Sequence, residues 1–341
     1  MPIGRKTPAR KPQRPGFAQI PVQFFGASLG LTGLALAWQR AENLPIVPDV
    51  RVASVLLILA GIISVLIFTG YGLKAMRAPA LVGADLMHPA RVTSLGAAPM
   101  TLMLLPAGVL PYAPGWAAAL SVMWLVGAFA HVALASWLVI TWLRRRPALQ
   151  DVTPAWFVPL VGMVVAPSAG VDLGYAPLAA AIAIAGSIAW LVMLPIVLWR
   201  LAHSPALPVD LVPGVFVLVA PPALVALALG ALSEPSSGTA PVAGLVVAHV
   251  AAGLSYVSCA FLLPVVLIIL GRIRDIRALG FTYGWWSATF PLAALASAGL
   301  QTQAMLPTAI HHAMATGALA LVTLVTATVG VLTLRSITQR P

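Results

Sequence analysis

Long apolar stretches dominate the chain, and only short connections that carry the polar and charged residues separate them. A helix needs about 20 consecutive apolar residues to cross the hydrocarbon core of a membrane. The sequence therefore predicts an all-α integral membrane protein of ten transmembrane helices, built as one domain over residues 17–336. The predicted spans are 17–38, 52–73, 92–112, 116–143, 154–172, 176–199, 211–232, 241–270, 281–300 and 307–334.

The basic residues test the number of spans, because lysine and arginine concentrate in the cytoplasmic loops of membrane proteins. With ten spans, 17 of the 19 lysine and arginine residues fall on one side, and only Arg40 and Arg51 fall on the other. Both termini are therefore predicted to be cytoplasmic. The net charge of +11 is then a topological signal and an attraction to anionic membrane lipid, so no nucleic-acid partner is expected.

Two short tails flank the predicted domain. Residues 1–16 are basic and rich in proline, which is typical of a disordered cytoplasmic tail, and residues 337–341 form the second tail. Ala35–Ala37 resembles a signal-peptide cleavage site. The apolar run before it is about twice as long as a usual signal core, so the first span is expected to be retained.

Four odd-numbered spans carry a proline in similar surroundings, at Pro99, Pro167, Pro221 and Pro291. The first span instead has small residues, with Gly26 and Gly30. Proline removes a helical hydrogen bond and kinks the helix, and in lipid the freed carbonyl needs a partner in protein or water. We therefore expect five hairpins with the odd helices inside, these residues along a narrow path, and the even helices outside. Alternatively, proline and glycine are simply commoner in membrane helices.

The predicted spans contain almost no ionisable groups. All eight acidic residues lie at span ends or in loops, and only His131 and His249 lie well inside spans, both in predicted outer helices. A histidine at such a position is usually a packing residue, although a proton relay is the alternative.

Nucleotide-binding, dinucleotide-binding, metalloprotease and zinc-site motifs are absent, and Cys259 is the only cysteine. No enzyme activity, cofactor or metal is expected, and an uncharged path is compatible with passive conduction.

Several short sequences carry a family resemblance. They are Phe24-Phe25-Gly26, Leu29-Gly30-Leu31 and Leu36-Ala37-Trp38 in the first span, His88-Pro89 with Arg91 before the third, Trp156 to Pro159 in the fifth, and Phe281 with Trp285-Trp286-Ser287-Ala288-Thr289-Phe290-Pro291-Leu292 in the ninth. In this order they resemble the tellurite-resistance/dicarboxylate transporter family. That family includes bacterial tellurite-resistance proteins, fungal malate and sulfite transporters and plant guard-cell slow anion channels.

The resemblance implies ten helices in quasi-five-fold hairpins around a central pore, a homotrimer with one pore per subunit, and a location in the bacterial inner membrane. It also implies that Phe290 closes the pore; an ordinary packing role for this ring is the alternative. The sequence departs from some relatives at Ser28, where they have proline, and at Leu194, where they have glutamate.

Three functions follow as hypotheses. The first is a passive or gated channel for small anions. The second is a secondary transporter, with or without proton coupling, for dicarboxylate, sulfite or tellurite-like oxyanions. The third is a membrane scaffold or sensor without transport.

Overall fold

A computed structural model describes residues 20–44, 51–233 and 241–339, and these residues contain α-helices and 3₁₀ helices but no β-strand. The predicted tail at 1–16 lies outside the described residues. The α-helices are α1 (Phe24–Glu42), α2 (Val52–Arg77), α3 (Pro79–Met87), α4 (Pro89–Leu95), α5 (Ala97–Val109), α6 (Ala117–Arg145), α7 (Phe157–Val161), α8 (Pro167–Gly170), α9 (Ala176–His203), α10 (Ala220–Ser233), α11 (Pro241–Ala260), α12 (Leu262–Gly271), α13 (Ile273–Leu279), α14 (Trp286–Met305) and α15 (Ala309–Thr338).

Seven helical segments in the described part of the chain are long and apolar enough to cross a membrane. They coincide with the second, third, fourth, sixth, seventh, eighth and tenth predicted spans. The fifth predicted span is a shorter apolar segment, Pro154–Gly170. The helices at the first and ninth spans, α1 and α14, are rich in glycine, alanine, serine and threonine, which makes them less apolar.

Burial explains why α1 and α14 are less apolar than the other long helices. Every residue from Ala288 to Thr302 in α14 is buried, so this helix meets protein on all sides and needs no apolar outer surface. At the third and seventh predicted spans, 67% and 72% of the residues in the most apolar stretch are buried. At the five even-numbered predicted spans, this share is only 17% to 28%. This agrees with the prediction of inner odd segments and outer even helices.

The inner segments touch one another in succession. Helix α1 packs against α5, α5 against residues 162–170, these residues against α10, α10 against α14, and α14 against α1. Each outer helix packs on the inner segment that precedes it in the chain: α2 on α1, α6 on α5, α9 on residues 157–170, α11 on α10 and α15 on α14. Each of these outer helices therefore contacts the inner segment that precedes it in the chain.

Small residues bring α1 and α14 close together. A methyl group added at Gly30 would overlap the Thr289 hydroxyl and lie 2.8 Å from the Thr289 Cβ. One added at Gly33 would lie 3.0 Å from the Phe290 ring and 3.0 Å from the Ala293 Cβ. In lipid, where the hydrophobic effect gives no drive to helix association, such close packing is a main source of stability.

Replacing Gly30 by leucine should separate α1 from α14 and destabilise the protein by about 1–3 kcal/mol, the usual cost of overpacking a tight core. The apparent melting temperature of the detergent-solubilised protein measures the effect. Gly61→Leu is the matched control, since a side chain at Gly61 in α2 meets no atom within 4 Å. Equal melting temperatures for the two variants would contradict the assigned close contact.

Candidate functional site

The inner segments enclose a cavity of about 650 Å³. Its wall is formed by the N-terminal halves of all five inner segments, together with Ser336 near the end of α15. The mouth lies among the exposed residues His88, Arg91 and Asp210. The deep end lies among buried residues, which include Leu29 of α1, Met100 of α5, Gly162 between α7 and α8, Leu224 of α10 and Phe290 of α14.

The structure brings four of the predicted path residues to this cavity: Gly26, Pro221, Phe290 and Pro291. The other three are buried elsewhere. Gly30 faces the Thr289 side chain, Pro99 lies in α5 with its carbonyl oxygen against Gly127 of α6, and Pro167 is the first residue of α8.

Proline acts in these segments mainly by ending one helix and starting another. In the fifth segment, a 3₁₀ helix over Gly162–Val165 separates α7 from α8, and Pro167 begins α8. In the seventh, the 3₁₀ helix Val209–Val219 precedes α10, whose second residue is Pro221. Pro99 is the third residue of α5, which follows a break at Gly96. Of the four predicted prolines, only Pro291 lies beyond the first turn of a continuous α-helix. The predicted kinks are therefore mostly breaks, because a missing N–H is tolerated best in the first turn of a helix.

Phe290 is held at the deep end of the cavity by the helix that carries it. Its side chain is 8% exposed and packs against Gly33 across the α1–α14 contact. Trp286, one turn earlier, donates a hydrogen bond of 3.0 Å from Nε1 to the Thr333 hydroxyl of α15. The Thr289 hydroxyl donates to the Trp286 carbonyl at 2.8 Å. The Trp286–Thr333 bond joins α14 to α15 and so holds the rotation of α14 that places the Phe290 ring in the cavity wall.

A buried ion pair stands behind the mouth of the cavity. Asp85 of α3 accepts hydrogen bonds from Lys74 Nζ at 2.6 Å and from the Tyr71 hydroxyl at 3.2 Å, both in α2. The Lys74 and Asp85 side chains are only 7% and 6% exposed. Arg91, whose side chain is 47% exposed, lies 3.4 Å from the second oxygen of Asp85. The cluster thus holds one arginine at the mouth while it neutralises the buried lysine.

Sequence reasoning missed several of these features. It placed Lys74 and Asp85 between the second and third predicted spans, without a pairing. Met100, Gly162 and Leu224 at the deep end were not singled out for the path either, because methionine, glycine and leucine are ordinary residues of apolar helices. Ser28, one of the departures from the family pattern, is buried within 2.6 Å of the Ser64 hydroxyl, so it joins α1 to α2.

No group of three or more histidine, cysteine or acidic residues within the described ranges could hold a metal ion. His311 lies at the start of α15, where its Nε2 hydrogen-bonds the Tyr256 hydroxyl of α11. His249 in α11 is exposed. Its Nδ1 lies 2.8 Å from the backbone carbonyl oxygen of Leu245, one turn earlier in the same helix.

Comparison with known families gives one match. The family model described as voltage-dependent anion channel, SLAC1, matches residues 19–334, which is nearly the whole chain. A comparison with curated proteins finds no match. The matched range includes all five inner segments and the whole cavity wall except Ser336. The chain therefore belongs to the SLAC1 family, whose members transport anions across membranes.

Proposed function

We propose that the protein is a passive or gated channel for small anions, in which ten transmembrane helices surround one pore. The closed succession of contacts among α1, α5, residues 162–170, α10 and α14 supports a ring of five inner segments. The five outer helices have exposed apolar faces, which then meet lipid. They are α2, α6, α9, α11 and α15. The inner helices α1 and α14 cross the membrane inside this layer of outer helices, away from lipid. This position accounts for their lower apolar content.

The observation that carries the proposal is the position of Phe290. A cavity enters the protein along the inner segments and reaches this ring at its deep, buried end. An aromatic ring in a lumen walled by small and apolar residues stops ions by excluding the water that would hydrate them. Gly33 of the neighbouring helix α1 leaves room for the ring where α1 and α14 meet. Phe290 is thus proposed as the closing element of the pore.

The preference for anions arises from positive charge at the mouth of the cavity and not from charged side chains inside the lumen. The N-terminal ends of the inner segments surround the mouth, and helix N-termini carry partial positive charge and unpaired N–H groups. Arg91 adds a full positive charge there, while Asp210 adds one negative charge. Below the mouth, the lining residues are uncharged. Anions are therefore attracted at the entrance and are not trapped by a fixed charge further inside.

The distribution of basic residues supports a cytoplasmic mouth. Arg91 and most other basic residues flank the same ends of the spans as both termini. The bacterial inner membrane and a homotrimer with one pore per subunit remain proposals that rest on the family resemblance. The mass of the purified protein in lipid nanodiscs, measured by native mass spectrometry, tests the trimer.

Purified protein in planar bilayers tests the proposed function directly. We expect currents that reverse at the potential set by the anion gradient when chloride is replaced by nitrate, malate or sulfite. A slow, saturable flux whose reversal potential follows pH would favour a proton-coupled transporter of oxyanions instead. Absence of any anion flux from correctly folded protein would contradict both and favour a scaffold or sensor.

A further inference from the structure

A fully buried histidine stands directly behind the deep end of the cavity. His131 lies midway along α6, one of the outer helices, and its side chain has no exposed surface. The ring points inward, toward the break between α7 and α8. A methyl group built at Gly162 would lie 2.7 Å from its Cε1 and 3.0 Å from its Nε2. The imidazole therefore fills the space that a side chain at Gly162 would occupy.

Neither ring nitrogen of His131 has a hydrogen-bond partner among the described residues. The carbonyl of Pro159 lies near the ring without completing a hydrogen bond of normal geometry. A buried polar group without a partner is costly, and in membrane proteins such groups usually serve function. A structural explanation of His131 as a hydrogen-bonded packing residue therefore lacks the hydrogen bond.

Trp124 is a buried side chain of α6 whose polar group has a structural role, and it serves as a comparison for His131. It lies two helical turns before His131 and also reaches the broken fifth segment. Its Nε1 donates to the Ala166 carbonyl at 3.1 Å, and its ring stacks on Tyr175. Trp124 thus satisfies its one polar group while it supports the break. His131 supports the same break and leaves two nitrogens unsatisfied.

Two residues of the cavity wall lie beside the imidazole. Gly162 and Met100 both line the cavity, and the methyl group built at Gly162 would meet Met100 Sδ at 2.5 Å as well as His131. Glycine offers no side chain as a barrier, and methionine is flexible enough to change its rotamer. A shift of the Met100 thioether would therefore bring the imidazole into contact with the contents of the cavity.

The surroundings favour an anion as the group that His131 meets. The elements that pack against this part of α6, namely α5 and residues 157–170, contain no charged side chain. No carboxylate competes for the ring N–H, and the low dielectric strengthens a hydrogen bond to an ion. An imidazole N–H is a suitable donor to a small inorganic anion.

We propose that His131 is an anion-binding residue of the pore, which donates a hydrogen bond to a small inorganic anion at the deep end of the cavity through the gap beside Gly162. This inference rests on the proposed anion conduction and assigns a residue that determines specificity. It gives an outer helix a direct part in the pore.

His131→Leu tests the inference, with His131→Gln as the variant that keeps a donor. Leucine matches the space and removes an unsatisfied polar group, so the apparent melting temperature of His131→Leu should equal or exceed that of the wild type. The nitrate-to-chloride permeability ratio in planar bilayers should change by about threefold or more in His131→Leu, since one lost hydrogen bond is worth a factor of this order. His131→Gln should retain a ratio closer to that of the wild type.

Binding gives a second readout that does not need an open pore. Added chloride or nitrate should raise the melting temperature of the wild-type protein in detergent more than that of His131→Leu. His249→Leu is the matched control, because His249 is the exposed histidine of another outer helix and should change neither quantity.

The outcomes separate the two proposals. Wild-type protein that passes no anion contradicts the proposed function. A conducting wild type whose permeability ratio and anion-dependent stabilisation are both unchanged by His131→Leu overturns the role of His131 alone. A His131→Leu protein that is strongly destabilised, together with a permeability ratio that His131→Gln shifts as much as His131→Leu does, would also overturn it and show that the ring serves packing.

Discussion

Replacing Phe290 by alanine should raise the anion conductance of the protein by about tenfold or more, which corresponds to a barrier lowered by about 1.4 kcal/mol or more. The ring occupies the deep end of the cavity, and its loss would leave a lumen wide enough for water beside Gly33 and Pro291. Currents per reconstituted protein in planar bilayers, recorded in symmetrical chloride, measure the change.

The matched control is Phe129→Ala. Phe129 lies on the outer face of α6 with 61% of its surface exposed, so its removal opens no path. Truncation of a buried phenylalanine can cost about 3–5 kcal/mol of stability, and Phe290→Leu therefore serves as a milder variant with an intermediate conductance. Wild-type currents from folded Phe290→Ala protein would remove Phe290 as the closing element and leave it a packing residue.

Phe290 could be singled out from the sequence because the motif that contains it is local. The run Trp285–Leu292 joins the end of a 3₁₀ helix to the first turns of α14, whereas the contacts that hold the ring also come from α1 and α15. The proline pattern was informative for the same reason, since it marks the inner segments one by one. Whether a proline bends a helix or separates two helices depends on neighbours, such as the packing of Gly96 against Pro159, which no single segment contains.

The direction in which each inner residue points could not be predicted. Helix α14 is buried on all sides, so no alternation of apolar and polar positions distinguishes its faces. Gly26 and Gly30 are one turn apart in α1, yet Gly26 lines the cavity and Gly30 faces the Thr289 side chain. His131 lies in α6, which the sequence predicts as an outer helix. Its inward orientation and its closeness to the cavity follow only from the break at Gly162, whose shape depends on tertiary packing.

The buried ion pair of Lys74 and Asp85 had no local signal either. The two residues are 11 positions apart, on either side of the junction between α2 and α3, and each alone resembles an ordinary charged residue at the end of a span. Their contact depends on how α3 folds back onto α2. Because both groups are buried, loss of one partner is expected to be costly.

Replacing Asp85 by asparagine should destabilise the protein by about 3–5 kcal/mol, because it leaves the Lys74 ammonium buried without a counter-charge. The remaining contacts of Lys74 Nζ, with the Ile20 carbonyl at 3.5 Å and with the Tyr71 ring centroid at 5.0 Å, are long and cannot replace a carboxylate at 2.6 Å. We expect low accumulation in the membrane and a lower melting temperature in detergent. Arg91 would lose its partner at the same time, and its position at the cavity mouth would become less fixed.

The exposed pair Arg272–Asp275 provides the control for the Asp85 variant. Its two charged groups are 2.7 Å apart, but their side chains are 24% and 53% exposed, so Asp275→Asn should cost at most about 1 kcal/mol. The double variant Lys74→Met with Asp85→Asn should recover much of the lost stability, since it removes the uncompensated charge together with its partner. A double variant no more stable than Asp85→Asn alone would show that Asp85 stabilises the protein through Tyr71 and Arg91, and not by neutralising Lys74.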